Sequence, residues 1–157
     1  MSVHAAGEIE VDVDRKTAFA FLQDPSRLAS CIPGCSDLRE TAPGGYSAVL
    51  TSRIAFMTIK FNVTIDILAL DPPRAIEARI VGDALGLAGH VAATATVRLA
   101  EAGEHRTRIS YTTDIALTGK LGGLGQPVFQ AASAQMARQF GANLKKAIEA
   151  APTEAPA

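Results

Sequence analysis

Between Ile59 and Leu70 apolar side chains occupy alternate positions, and after Gly119 they recur about every fourth. No single element satisfies both periods. A two-residue repeat places one set of side chains on one face of a strand, whereas a repeat near 3.6 winds a stripe along a helix. A chain that holds the first period over most of its length and the second only at its end is expected to pack a sheet against a terminal helix.

The alternation is clearest where Ile59, Phe61, Val63, Ile65 and Ile67 face one way and Lys60, Asn62, Thr64 and Asp66 the other. It also marks residues 8–14, with Ile9, Val11 and Val13 on one face, and residues 46–54, 75–81, 91–99 and 107–117. A short strand at 37–41, joined to the next through Pro43-Gly44-Gly45, brings the expected strands to seven. Asp71-Pro72-Pro73 closes the 59–70 strand, because proline has no N–H for the ladder. Segments 82–89 and 101–104 read as the remaining turns.

After the first strand, Asp14 is placed to cap a helix over 15–23, and Asp24 a second over 26–31 with Pro25 in its first position. The last helix carries Leu121, Leu124, Val128, Ala132, Met136, Phe140, Leu144 and Ile148 as its apolar stripe, with Gln130, Gln135, Arg138, Gln139, Lys145 and Lys146 on its wet side. Residues 1–149 form the expected domain, and 150–157 read as a disordered tail. The expected class is α+β, a curved antiparallel sheet around a long C-terminal helix with two short helices after the first strand.

Fifteen basic residues against sixteen acidic ones give a formal charge of -1, with no Lys/Arg cluster suited to nucleic acid. The N-terminal residues lack the pattern of a secretory signal, and no apolar stretch is long enough to span a bilayer, so a cytoplasmic protein is expected. Cys31 and Cys35 flank Pro33-Gly34, while His4, His90 and His105 are scattered. They read as two structural thiols and no metal site, with a redox pair as the rival.

A curled sheet gripping a helix leaves a gap between the layers, where ligands bind. Its lining is expected from Phe61, Val63, Val91, Ala93, Tyr111 and Ile115 on the sheet, and Leu121, Leu124, Val128, Ala132 and Met136 on the helix. The alanines near 91–95 leave volume unfilled, and Tyr111 offers a polar handle for a ligand carbonyl. Any of these side chains could equally be plain core. Phe56 and Met57 read as an apolar lip where turns prefer polar residues, as do Leu85 and Leu87 between glycines, or else they fold inward. Gly122 and Gly123 suit a hinge at the mouth, or simply a tight strand-to-helix connection. The glycine run 119–125 lacks the Lys-Ser/Thr ending of a phosphate loop.

At this point the residues resemble a known family. The run Asp24-Pro25, Leu28-Ala29 and Cys31-Ile32-Pro33-Gly34-Cys35 is similar to the signature of the G-subunit proteins of carbon monoxide dehydrogenase, members of the START-like, helix-grip (SRPBCC) superfamily. Asp71-Pro72-Pro73-Arg74, the segment 82–89 and Gly119-Lys120-Leu121-Gly122-Gly123-Leu124-Gly125-Gln126 keep the same order, so the resemblance spans roughly residues 1–150. It implies a helix-grip fold around an apolar cavity. It also implies a non-catalytic accessory beside a molybdenum hydroxylase of the carbon monoxide dehydrogenase type. Its expected work is membrane recruitment or quinone-linked electron delivery, with an isoprenoid quinone or lipid as ligand and no covalently bound cofactor. Longer relatives carry a Pro-rich linker and a further C-terminal segment suited to membrane attachment, so the expectation here is either transient, peripheral membrane contact or pure ligand carriage.

Catalysis finds little support in the residues. Asp66, Glu77 and Asp114 fall on outward strand positions, as do Arg53, Arg79, Arg98 and Arg108, which could form a cross-strand charge ladder. No nucleophile-base set or carboxylate pair can be assembled on the lining. The expectation is therefore a binding protein, with a cyclase or aromatase and a ligand-free adaptor for the hydroxylase as alternatives.

Overall fold

The structure is a computed structural model that describes residues 2–54, 57–86, 88–120, 123 and 125–150. The elements run β1 (Ser2–Val11), α1 (Arg15–Leu22), α2 (Pro25–Cys31), β2 (Cys35–Ala42), β3 (Gly45–Ile54), β4 (Met57–Asp71), β5 (Ala75–Ala84), β6 (Gly89–Gly103), β7 (Arg106–Gly119) and α3 (Gln126–Ala150). All seven strands form one antiparallel sheet in the order β1-β7-β6-β5-β4-β3-β2. The class, the strand number and the segregated helix are those expected from the two periods.

The differences lie at the ends of elements. β1 begins at Ser2, because Val3 and Ala5 extend the alternation; it stops at Val11, since Asp14 turns extended as the N-cap of α1 and accepts from Thr17 N at 2.9 Å. β2 starts at Cys35, and Met57 already belongs to β4, where it pairs with Ile54. Strand pairing continues through Gly82 to Ala84 and resumes at Gly89, and Gly103 pairs with Arg106, so both turns are tighter than the sequence suggests. The terminal helix begins at Gln126: Gly125 sits at φ 93°, and Pro127 occupies the first turn, where no N–H is needed.

α3 runs parallel to the free edge of β1. Gln126 Nε2 donates to Ser2 O, Gln130 Nε2 to His4 O at 2.6 Å, and Lys145 Nζ to Glu10 O, while Gln130 Oε1 accepts from His4 N and Glu149 Oε2 from Asp12 N. All five backbone groups belong to even-numbered residues, which turn away from β7. The spacings agree: ten strand residues at about 3.3 Å and twenty-three helix residues at about 1.5 Å both span about 34 Å. The helix thus supplies side-chain partners to an edge that would otherwise invite another strand.

The apolar interior divides in two. One cluster lies beneath α1 and α2 and includes Val11, Phe19, Phe21, Leu22, Ile109, Tyr111, Leu144 and Ile148. The other gathers Val3, Ala48, Ile59, Phe61, Val63, Leu117 and Phe129 toward the opposite end. Among the described residues Ala78, Ala95 and Met136 belong to neither. A domain of this size ordinarily has one contiguous core.

Candidate functional site

Register shows why the core divides. One row across the inner face of the sheet reads Ala5, Thr113, Ala95, Ala78 and Ile67 on β1, β7, β6, β5 and β4. Four of its five side chains are small; Ala5 and Ile67 join the first cluster, while Ala95 and Ala78 join neither. Larger rows lie on both sides: Tyr111, Val97 and Ile76 toward α1, and Val3, Ile115, Ala93, Ile80 and Ile65 toward the other end. Around the shallow row, inward-facing Ile65, Ile80, Val91, Val97, Ile115, Met136 and Phe140 remain only half-buried. All of them except Met136 pack against one of the two clusters.

The expected lining divides accordingly. Phe61 (5% exposed), Val63 and Ala93 are buried on the concave face, and Val91 and Ile115 are half-buried there. Val128 and Ala132 are half-buried against the second cluster, and Met136 is half-buried and belongs to neither cluster. Leu121 and Leu124 lie outside the described residues, as do Phe56, Leu87, Gly122 and the tail from 151 onward. Ile115 also borders an open crevice of about 350 Å³ with Ser2, Val3, His4, Asp114, Ala116, Gln126 and Gln130 at the start of the β1–α3 seam.

Tyr111 is the most tightly specified of the lining residues. Its hydroxyl donates to Ala137 O at 2.9 Å, and Phe140 meets its ring edge-on with centroids 5.2 Å apart. Gly7 faces it from β1 and Gly141 from α3; a Cβ at either position would overlap the phenol. Burial pushes the phenol's pKa up. The proton expected to greet a ligand carbonyl is therefore given to the helix backbone, and two glycines make room for that contact. The oxygen keeps acceptor capacity.

Met57 and Leu85 are 38% and 47% exposed. The β3–β4 and β5–β6 connections and the passage from β7 to α3 all lie at one end of the sheet, where Leu85 N also donates to Lys60 O at 2.8 Å. Gly123 is exposed at that same end. α1 and α2 close the other end. The concave face accordingly has one end capped by helices and one end at which Met57 and Leu85 are exposed.

The rest of the expected chemistry is simpler. Cys31 and Cys35 are free thiols, the first buried with Sγ 3.5 Å from Arg27 O, and burial pushes both pKa values up. Gly34 between them holds φ 79°, with Thr51 O where a Cβ would stand, so the turn fixes α2 against β3. Asp66, Asp114 and the four arginines are on the outer face, but the ladder is narrower than expected. Among the described residues only Arg108 of those four makes an ion pair, to Glu10 at 3.1 Å and Glu8 at 4.0 Å, with Arg106 extending the set to Asp12. Long basic side chains reach acids across the β1–β7 pair, while Arg53 and Arg98 face no acid in register.

The family model described as the carbon monoxide dehydrogenase G subunit (CoxG) matches residues 7–149. The chain belongs to the CoxG family. Comparison with curated protein sequences finds no match. Among solved structures it is similar to a conserved protein from Geobacillus kaustophilus, at 25% identity over 93% of this chain and 95% of that one, with a TM-score of 0.83. It is also similar to a START superfamily protein from Mycobacterium smegmatis (10% identity, 93% and 97% covered, TM-score 0.69). A third is Zhui aromatase/cyclase from Streptomyces sp. R1128 (19% identity, 95% and 92% covered, TM-score 0.59). At their low identities the last two establish the START-like fold of this CoxG family member and nothing of its chemistry. No helix among the described residues is long and apolar enough to cross a membrane.

Proposed function

We propose that this member of the CoxG family is a non-catalytic accessory protein that holds an elongated apolar ligand between its sheet and α3. The observation that supports it is the divided core: two apolar clusters flank a central row of mostly small side chains, with half-buried apolar residues around it. An isoprenoid quinone or a lipid fits such a lining in chemistry. The ligand enters past Met57 and Leu85, the end that also suits peripheral contact with a membrane or with a molybdenum hydroxylase of the carbon monoxide dehydrogenase type. The inner face favours binding over catalysis. The titratable side chains at the described inner strand positions of β3 to β7 are Tyr46, Tyr111 and, at the exposed end of β6, Glu101; the Tyr111 proton is engaged by Ala137 O. An aromatase or cyclase needs a free acid or base there.

Mass spectrometry of an organic extract, from protein purified without detergent, tests this reading. A quinone or lipid near one per chain is the expected result. An extract without one, from a protein that also takes up no added quinone or lipid, would refute ligand binding and leave an adaptor role.

A further inference from the structure

Two hydroxyl groups meet the interior at the level where the core divides, and neither has a hydrogen bond among the described residues. Thr113 lies between Tyr111 and Ile115 on the inner face of β7, flanked in register by Ala5 and Ala95. Ser133 lies four residues from Phe129 and four from Ala137, both buried, so it shares their sheet-facing side of α3. The contacts along β1 fix their relative height. Gln130 is bonded to His4, while Ala137 is bonded to Tyr111, whose partner on β1 is Gly7. Ser133 falls between Gln130 and Ala137, just as Ala5, the partner of Thr113, falls between His4 and Gly7. One hydroxyl therefore comes from the sheet and one from the helix at the same level, both half-buried.

Neither hydroxyl is a buried, unpartnered atom: each keeps accessible surface while its residue is half-buried among apolar neighbours, so each is free to meet a polar group that enters there. Neither is needed to hold the fold, since Tyr111 already links β7 to α3. We infer that Thr113 and Ser133 are the specificity-determining pair of the cavity and hydrogen-bond a carbonyl or hydroxyl oxygen of the apolar ligand. This rests on the ligand-binding reading above and names the polar group the ligand must carry. Each hydroxyl can donate or accept, so a ketone oxygen accepts from both and an alcohol can bridge them. The neighbours Ala5 and Ala95 leave room for that oxygen beside the strand.

The test uses the full chain and displacement of a fluorescent anilinonaphthalenesulfonate dye by two probes of equal length, tridecane and 2-tridecanone. The wild type is expected to bind both and to prefer the ketone. Thr113→Val, close in shape and without the hydroxyl, should lose roughly threefold to tenfold of that preference, the size of one net hydrogen bond, with tridecane binding unchanged. Ser133→Ala should behave alike, and Thr113→Ser should restore the preference, which a merely structural role would not. Equal preference in the wild type and both hydroxyl-deleted variants, with tridecane still bound, would overturn the pair and leave the cavity standing. Failure of the wild type to bind either probe would overturn the cavity and the pair together.

Discussion

The contact between Tyr111 and Gly141 can be tested through a double-mutant cycle whose coupling follows from the geometry. Tyr111→Phe removes the bond to Ala137 O but keeps the edge-on contact with Phe140, and should cost about 1 kcal/mol. Gly141→Ala in the wild type gains about 1 kcal/mol of helix propensity, yet its methyl falls on the Tyr111 hydroxyl, and overpacking of that kind costs about 1–3 kcal/mol. The net effect is a loss of up to about 2 kcal/mol. Once the hydroxyl is gone, the methyl's remaining close neighbours are Ile9 Cγ2 and the ring carbon at the former hydroxyl position, each at 3.2 Å, which a few tenths of an ångström of movement relieves. In the Tyr111→Phe background Gly141→Ala should therefore be neutral or stabilising. The double variant should be more stable than the sum of the singles by about 1–3 kcal/mol, read from urea unfolding midpoints at constant m-value. Additivity within about 0.5 kcal/mol would mean that Gly141 is not held open for the tyrosine, and the account of Tyr111 as the link between sheet and helix would fail.

Asp14 gives a pH dependence of known sign. Hydrogen bonds from Thr17, side chain first and then backbone, hold its carboxyl below the usual value, so the stability it adds is present above the unfolded-state pKa and is lost as pH falls through the folded-state one. Asp14→Ala should cost about 1 kcal/mol at neutral pH, with the gap to wild type closing in acid, whereas a constant gap at every pH would refute the assignment. At the sheet edge, Gln130→Ala removes the side-chain partner of both the backbone N–H and the carbonyl of His4. Hydrogen exchange at the His4 amide should accelerate while that of β5 and β6 is unchanged, and unaltered His4 protection would show that the glutamine does not guard the edge.

What the sequence reveals here is faces, and what it hides is reach. Alternation in β4 tells that Phe61, Val63 and Ile65 share a side, but the four-residue spacing of α3 names a stripe turned partly off the core: Phe129, Ala137 and Gly141 are buried with Leu144 and Ile148, whereas Val128, Ala132, Met136 and Phe140 are half-buried. Strand ends were less visible, because Val3 and Ala5 continue a pattern whose small members carry little weight, and because Gly82 adds no side chain to a strand that runs through it. Tyr111 was legible as a buried polar group. Its partner was not, since nothing local in β7 predicts a carbonyl on a helix twenty-six residues later.

The shallow row is harder still. Ala5, Thr113, Ala95 and Ala78 come from four separate strands and become neighbours only once the register of three pairings is fixed. A search for apolar lining also passes over Thr113 and Ser133, because each reads as an ordinary polar residue in its own element. Two signals could have found them. Thr113 stands at an odd, inward position between Tyr111 and Ile115, and Ser133 interrupts the buried stripe between Phe129 and Ala137. A single hydroxyl in either place would be weak, because a strand or a helix tolerates one half-buried threonine or serine without consequence. Their coincidence at one height is what distinguishes them, and that height is set by how α3 is tied to β1 through Gln130 and to β7 through Tyr111. If those ties slipped by one helical turn, Ser133 would move about 5 Å along the strand, away from Thr113 and toward a row that is already filled. The same bonds that protect the sheet edge thus fix where a ligand's oxygen can be met.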